Sequence, residues 1–114
     1  MTTTTELYLK REEITNVQQT IEDLLTKLAT SEKAQTEHHT CQIVLQLNRE
    51  KESGKKWLMF VYYNVENDTF NFSFQDEDYY DTDLTCYVTR EYILARMLEE
   101  IREVEDFEWI ALDY

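Results

Sequence analysis

The chain has 114 residues, 42% of them hydrophobic and 13% aromatic, enough to bury roughly 60–70% of its unfolded surface in one core. This excludes a disordered chain and leads us to expect a single acidic domain over residues 1–114; one glycine, no proline and no long apolar run exclude collagen-like, low-complexity and single-span membrane readings. Eleven Lys and Arg stand against 24 Asp and Glu, a net charge of −13, which argues against direct contact with nucleic acid or anionic membrane and favours a basic partner.

In chain order, residues 1–5 read as a loose tail, and Leu7 and Leu9 fit either a short strand or a lead-in to a helix. From Arg11 to Thr30 the apolar residues Ile14, Val17, Ile21, Leu24, Leu25 and Leu28 follow a 3.6-residue period, which predicts an amphipathic helix with Glu12 and Glu13 in its first turn. Ser31 to Thr40 is polar connector. Cys41 to Arg49 alternates strictly, with Cys41, Ile43, Leu45 and Leu47 on one face, and predicts a half-buried strand. Trp57–Glu66 and Thr69–Gln75 complete a three-stranded antiparallel meander. A two-residue Asn67-Asp68 turn would oppose Val65 to Phe70, Tyr63 to Phe72 and Val61 to Phe74, and on the other face Asn64 to Asn71 and Tyr62 to Ser73.

Gln75 to Asp83 reads as an acidic loop and Leu84 to Thr89 as a short fourth strand. Thr89 is placed to cap a second helix over Arg90–Glu105, with Leu94, Met97, Leu98, Ile101 and Val104 facing the core and Tyr92, Arg96, Glu99, Glu100 and Glu103 facing out. The segment FEWIALDY is apolar enough for a last strand. The predicted class is α+β, a two-layer sandwich of helix, meander, short fourth strand, second helix and C-terminal strand.

The charge is unevenly placed. Residues 1–56 hold nine acids and eight bases, whereas residues 57–114 hold fifteen acids and only Arg90, Arg96 and Arg102 as bases. Between Trp57 and Thr89 there is no Lys or Arg, yet there are seven acids and ten aromatic residues, unlike a disordered acidic tail. Like charges at Glu99 and Glu103, and acids clustered where the helix dipole is already negative, do not help local stability. The excess therefore points to a partner.

Specific chemistry finds little support. QDEDYYDTD offers hard oxygen ligands, but the spacing lacks the glycine and terminal glutamate of an EF-hand loop. His38, His39, Cys41 and Cys86 lack the paired spacing of a zinc site, and no third orienting group completes a Cys/His nucleophile. A lone Gly54 cannot build a phosphate cradle. The expectation is no enzyme, no catalytic residue, no metal and no cofactor. The start, MTTTTELYLK, lacks a basic and an apolar signal region, so a cytoplasmic location with free thiols is expected.

The candidate partner-binding residues are Asp76, Glu77, Asp78, Tyr79, Tyr80, Asp81, Asp83, Glu99, Glu100 and Glu103. Carboxylates about 5–6 Å apart along a helix approach the phosphate spacing of a nucleic-acid strand, and tyrosines among them supply flat anchors. Through QDEDYYDTD and EEIREVEDFE, and in size and element order over the whole chain, the protein resembles the small acidic viral inhibitors deployed by phages, namely DNA mimics and certain anti-CRISPR proteins. That resemblance implies inhibition of a basic nucleic-acid-binding protein, such as a CRISPR effector, restriction enzyme or nuclease, in the host cytoplasm. Two other readings share the composition: an immunity or antitoxin protein for a basic toxin, and a cytosolic interaction module or homodimer that uses Leu58, Phe60 and Tyr62 and whose acids only keep it soluble.

Overall fold

The computed structural model describes residues 5–31, 42–50, 55–75, 87–103 and 107–113. Its elements are β1 (Thr5–Lys10), a 3-10 turn (Arg11–Glu13), α1 (Val17–Thr30), β2 (Gln42–Glu50), β3 (Lys55–Asn64), β4 (Thr69–Gln75), α2 (Arg90–Glu103) and β5 (Phe107–Asp113). All five strands join one antiparallel sheet in the order β1-β5-β2-β3-β4. The class is α+β as expected, but the order of parts differs. The chain opens on a strand that already includes Thr5, and the meander β2-β3-β4 is one side of a larger sheet whose β5 inserts between β1 and β2. The expected fourth strand is reduced, within the described residues, to one bridge in which Val88 and Phe70 exchange backbone hydrogen bonds of 2.8 and 2.9 Å.

The first helix starts later than its periodicity suggests. Arg11–Glu13 curl into a 3-10 turn held by the Lys10 N–H donating to the Glu13 carboxylate at 3.0 Å, and Ile14 is extended. Asn16 then takes the N-cap, its side chain accepting from the Gln19 N–H at 3.1 Å, and this satisfies one of the free donors of the first turn. Ile14 is buried as a bridge into the core rather than as a helix residue. Beyond it Ile21, Leu24, Leu25 and Leu28 are buried on one face of α1, each contributing about 2 kcal/mol as an upper bound.

Strand alternation gives the sheet two different faces. Ile43, Leu45, Leu47, Met59, Val61, Tyr63, Phe70, Phe72, Ile110 and Leu112 share a core with the buried side chains of α1 and with Ile93 and Met97 of α2. On the opposite face Tyr8, Ala111, Val44, Phe60 and Ser73 lie in one line across all five strands. Val44 and Ala111 are buried there, yet stand outside that core.

The β3–β4 hairpin keeps the expected faces and shifts the expected pairs by two residues. Met59 faces Phe74, Val61 faces Phe72, Tyr63 faces Phe70, Tyr62 faces Asn71 and Phe60 faces Ser73. A four-residue turn, residues 65–68, replaces the two-residue one, and Asp68 ends it at φ 51°, a left-handed conformation that Asp tolerates. The Tyr63 hydroxyl donates to Asp68 Oδ1 at 2.8 Å and the Thr69 hydroxyl donates to Asn67, which hold this longer turn. Asn64 and Asn71, expected to pair directly, instead meet through a side-chain hydrogen bond between diagonal positions.

Burial, and then the hydrogen bond and charge of Asp68, raise the pKa of the Tyr63 phenol above its ordinary value of 10.0. A raised value favours the protonated, folded form. Its contribution is complete below about pH 10 and is lost as pH rises through the folded-state pKa. Tyr63→Phe should therefore be least stable relative to wild type near pH 8, with the gap in urea-unfolding free energy shrinking as pH rises above 10. A gap that stays constant to pH 11 would contradict this coupling.

Candidate functional site

Most of the candidate acidic surface has no described geometry: Asp76, Glu77, Asp78, Tyr79, Tyr80, Asp81 and Asp83 all lie outside the described residues, as do His38, His39, Cys41 and Cys86. The acidic segment follows β4, an edge strand of the described sheet. The remaining candidates are on α2. Thr89 caps this helix as expected, its hydroxyl accepting from the Tyr92 N–H at 3.2 Å. Glu99 is exposed, and Glu103 is the last residue of the helix.

Glu100 corrects the expectation. Only 2% of it is exposed, so it is not part of an outer face. Ile93, Met97 and Glu100 are the inward residues of α2, whereas Leu94, Leu98 and Ile101 are half-buried. The buried stripe is thus turned by roughly 70° about the axis from the expected one, at 100° per residue. Arg96 explains the rotation. Its guanidinium lies 5.4 Å from the Phe72 ring centre and 5.9 Å from that of Phe74, and it bonds Glu100 Oε1 through Nε at 3.0 Å and Nη2 at 2.9 Å. A carboxylate can enter the core here because a cation one turn earlier, stacked on two aromatic faces, neutralises it.

Arg90 is also engaged inside the molecule. Its Nη2 donates to the Glu22 carbonyl at 3.0 Å and to the Thr26 hydroxyl at 2.7 Å, which ties the start of α2 to α1. Of the three bases in residues 57–114, two therefore serve internal contacts. Around them Glu66, Asp68, Glu91 and Glu99 are exposed, and Tyr92, 50% exposed, lies two helical turns from Glu99 on the outward face.

The sheet face opposite the two described helices brings together residues that lie far apart in the sequence. Leu58, Phe60 and Tyr62 are half-buried on it. Tyr8, 48% exposed, stacks beside Trp109 at 5.4 Å between ring centres on the same face. Tyr8 was overlooked, although its position between Leu7 and Leu9 is the alternation that marks a strand. On the other side of β1, Leu7 and Leu9 form with Leu24, Asp23 and Lys27 of α1 a groove of about 400 Å³.

Among the described residues no group of three or more His, Cys, Asp or Glu is placed to hold a metal ion, and no helix is long and apolar enough to cross a membrane. Compared with protein-family models, with curated proteins and with solved structures, the chain matches none.

Proposed function

We propose that this is a non-enzymatic binding protein whose acidic half occupies the nucleic-acid-binding groove of a basic protein, standing in for phosphates and so inhibiting it. The observation that supports this reading most is that two of the three bases in residues 57–114, Arg90 and Arg96, make contacts inside the molecule, while the same span carries fifteen acids. A net excess of charge of one sign steers an oppositely charged partner and makes association fast and salt-sensitive. A two-layer arrangement suits the task, because helices on one face give an acidic surface a rigid base. The partner class is a CRISPR effector, restriction enzyme or nuclease, met in the host cytoplasm; an immunity protein for a basic toxin would use the same physics.

The test is capture of lysate proteins on immobilised chain at low and high salt, with and without competing DNA. A basic nucleic-acid-binding protein should be retained, displaced by DNA and released by salt. Against that partner, the triple reversal Asp76→Lys, Glu77→Lys, Asp78→Lys should weaken binding by roughly a hundredfold or more, with the circular dichroism spectrum unchanged. Unchanged binding would remove the acidic loop from the interface. A partner that stays bound whatever the salt and DNA would favour the reading in which Leu58, Phe60 and Tyr62, aligned on the face opposite the described helices, make the contact.

A further inference from the structure

We infer that Asn67, in the turn between β3 and β4, is a site of spontaneous deamidation. The backbone nitrogen of Asp68 attacks the Asn67 side-chain amide, and the Thr69 hydroxyl stabilises the oxygen that becomes negative. This does not depend on the acidic-surface reading, since it needs only the arrangement of the turn.

The lability of an asparagine is set by its surroundings. Attack brings the nitrogen of the next residue onto the side-chain carbonyl carbon, so the peptide must be able to rotate, and a branched or bulky neighbour hinders the approach. Other asparagines of the chain are held against this. Asn64 and Asn71 are buried, are hydrogen-bonded to each other, and are followed by Val65 and Phe72. Asn16 accepts from the Gln19 N–H at 3.1 Å as the cap of α1, and β-branched Val17 follows it. Asn48 is in β2 and precedes Arg49. By contrast, Asn67 and Asp68 are both exposed and belong to no strand, and Asp68 is small and unbranched at Cβ.

Hydrogen bonding inside the turn supplies the rest. The Thr69 hydroxyl donates to Asn67 Oδ1, the oxygen that takes the negative charge when Cγ becomes tetrahedral. A donor already aimed at a developing oxyanion lowers the barrier to forming it. In this step the Asp68 N–H gives its proton to solvent hydroxide and its nitrogen bonds to Asn67 Cγ; the amide nitrogen takes a proton from water and leaves as ammonia. Water then opens the succinimide ring at either carbonyl, giving aspartate or isoaspartate. Either product adds a negative charge to the acid-rich half. Isoaspartate also puts one more carbon into the backbone of the turn that sets the β3–β4 register, next to the Tyr63–Asp68 hydrogen bond.

The test is incubation of the full chain at mildly alkaline pH over several weeks, with peptide mass spectrometry locating each conversion of amide to acid. Asn67 should convert at least tenfold faster than Asn16, to a mixture of aspartate and isoaspartate. Thr69→Val keeps the β-branched shape but removes the hydroxyl, and should slow the conversion about fivefold. Thr69→Ser keeps the hydroxyl and should stay within about twofold of wild type, which separates loss of the donor from a change in the turn. Conversion of Asn67 no faster than that of Asn16, a serine variant as slow as the valine one, or a valine variant as fast as wild type would each overturn the proposal. A valine variant faster than wild type would also overturn it, by showing that the hydrogen bond protects the amide.

Discussion

Arg96→Ala will lower the unfolding free energy by about 3 kcal/mol, which corresponds to a fall in melting temperature of roughly 12 °C for a chain of this size. The reason is what it leaves behind. Glu100 has a side chain only 3% exposed, and losing the guanidinium removes the two nitrogen contacts to Oε1 that offset the burial of its charge. The figure is at the lower end for breaking a buried pair, because Arg96 itself keeps 34% of its side chain exposed and the pair is partly screened. Glu100→Gln should cost less, since the cation left over can turn to solvent, and the double variant Arg96→Met, Glu100→Leu should recover most of the loss. Urea unfolding of wild type, Arg96→Ala, Glu100→Gln and the combined Arg96→Ala, Glu100→Gln variant forms a double-mutant cycle that measures the coupling. A coupling below about 0.5 kcal/mol would mean that the pair is incidental to the fold.

A second large effect is expected from Phe107→Ala, which should cost about 4 kcal/mol. Phe107 is 2% exposed, pairs with Leu47 where a bulge shifts the β2–β5 register, and lies under the Arg11 guanidinium at 5.5 Å. Truncation removes a large buried surface between β2 on one side and the 3-10 turn that carries Arg11 on the other. Arg11→Ala, which removes only the cation over the ring, should cost about 0.5–1 kcal/mol. Glu91→Ala on the exposed face of α2 should change stability by less than about 0.5 kcal/mol. If Phe107→Ala proved as mild as Glu91→Ala, the burial of Phe107 beside β2 would be wrong.

Much of this architecture is legible from residue pattern alone. The alternation of Ile43, Leu45 and Leu47 marks a strand and its buried face, and the four leucine and isoleucine positions of α1 mark the face of a helix. Pattern has an inherent blind spot at the β3–β4 hairpin, because a slip of two residues leaves every side chain on the same face. Both registers place aromatic residues opposite apolar ones; the choice is made by Asp68, Asn67 and their hydrogen bonds within the turn. Strand order was hidden for a similar reason. FEWIALDY reads as a strand from its composition, but nothing in a periodicity says which strands it will lie between.

The candidate site was less legible. A charged residue in a helical pattern is assigned to the solvent face by default, and Glu100 escapes that rule only through Arg96, Phe72 and Phe74, which come together from two separate elements. Glu99 remains outward, and its neighbour Glu100 becomes a structural residue. The contact between exposed Tyr8 and half-buried Trp109 joins strands from the two ends of the described chain, a proximity that no local pattern encodes.

The position of β5 between β1 and β2 also constrains how the molecule is assembled. Thr5 stands opposite Asp113, so the β1–β5 ladder closes one of the longest loops the chain can form, whereas β2, β3 and β4 are joined by short connections. Contacts of high sequence separation form late because loop closure must precede them. Within the described sheet β1 has nothing to dock on until β5 is in place. During that interval the open edge belongs to β2, whose alternating apolar face makes it the segment most prone to pair with the wrong chain. Arrival of β5 therefore covers the adhesive edge of β2 and gives β1 its place in the sheet.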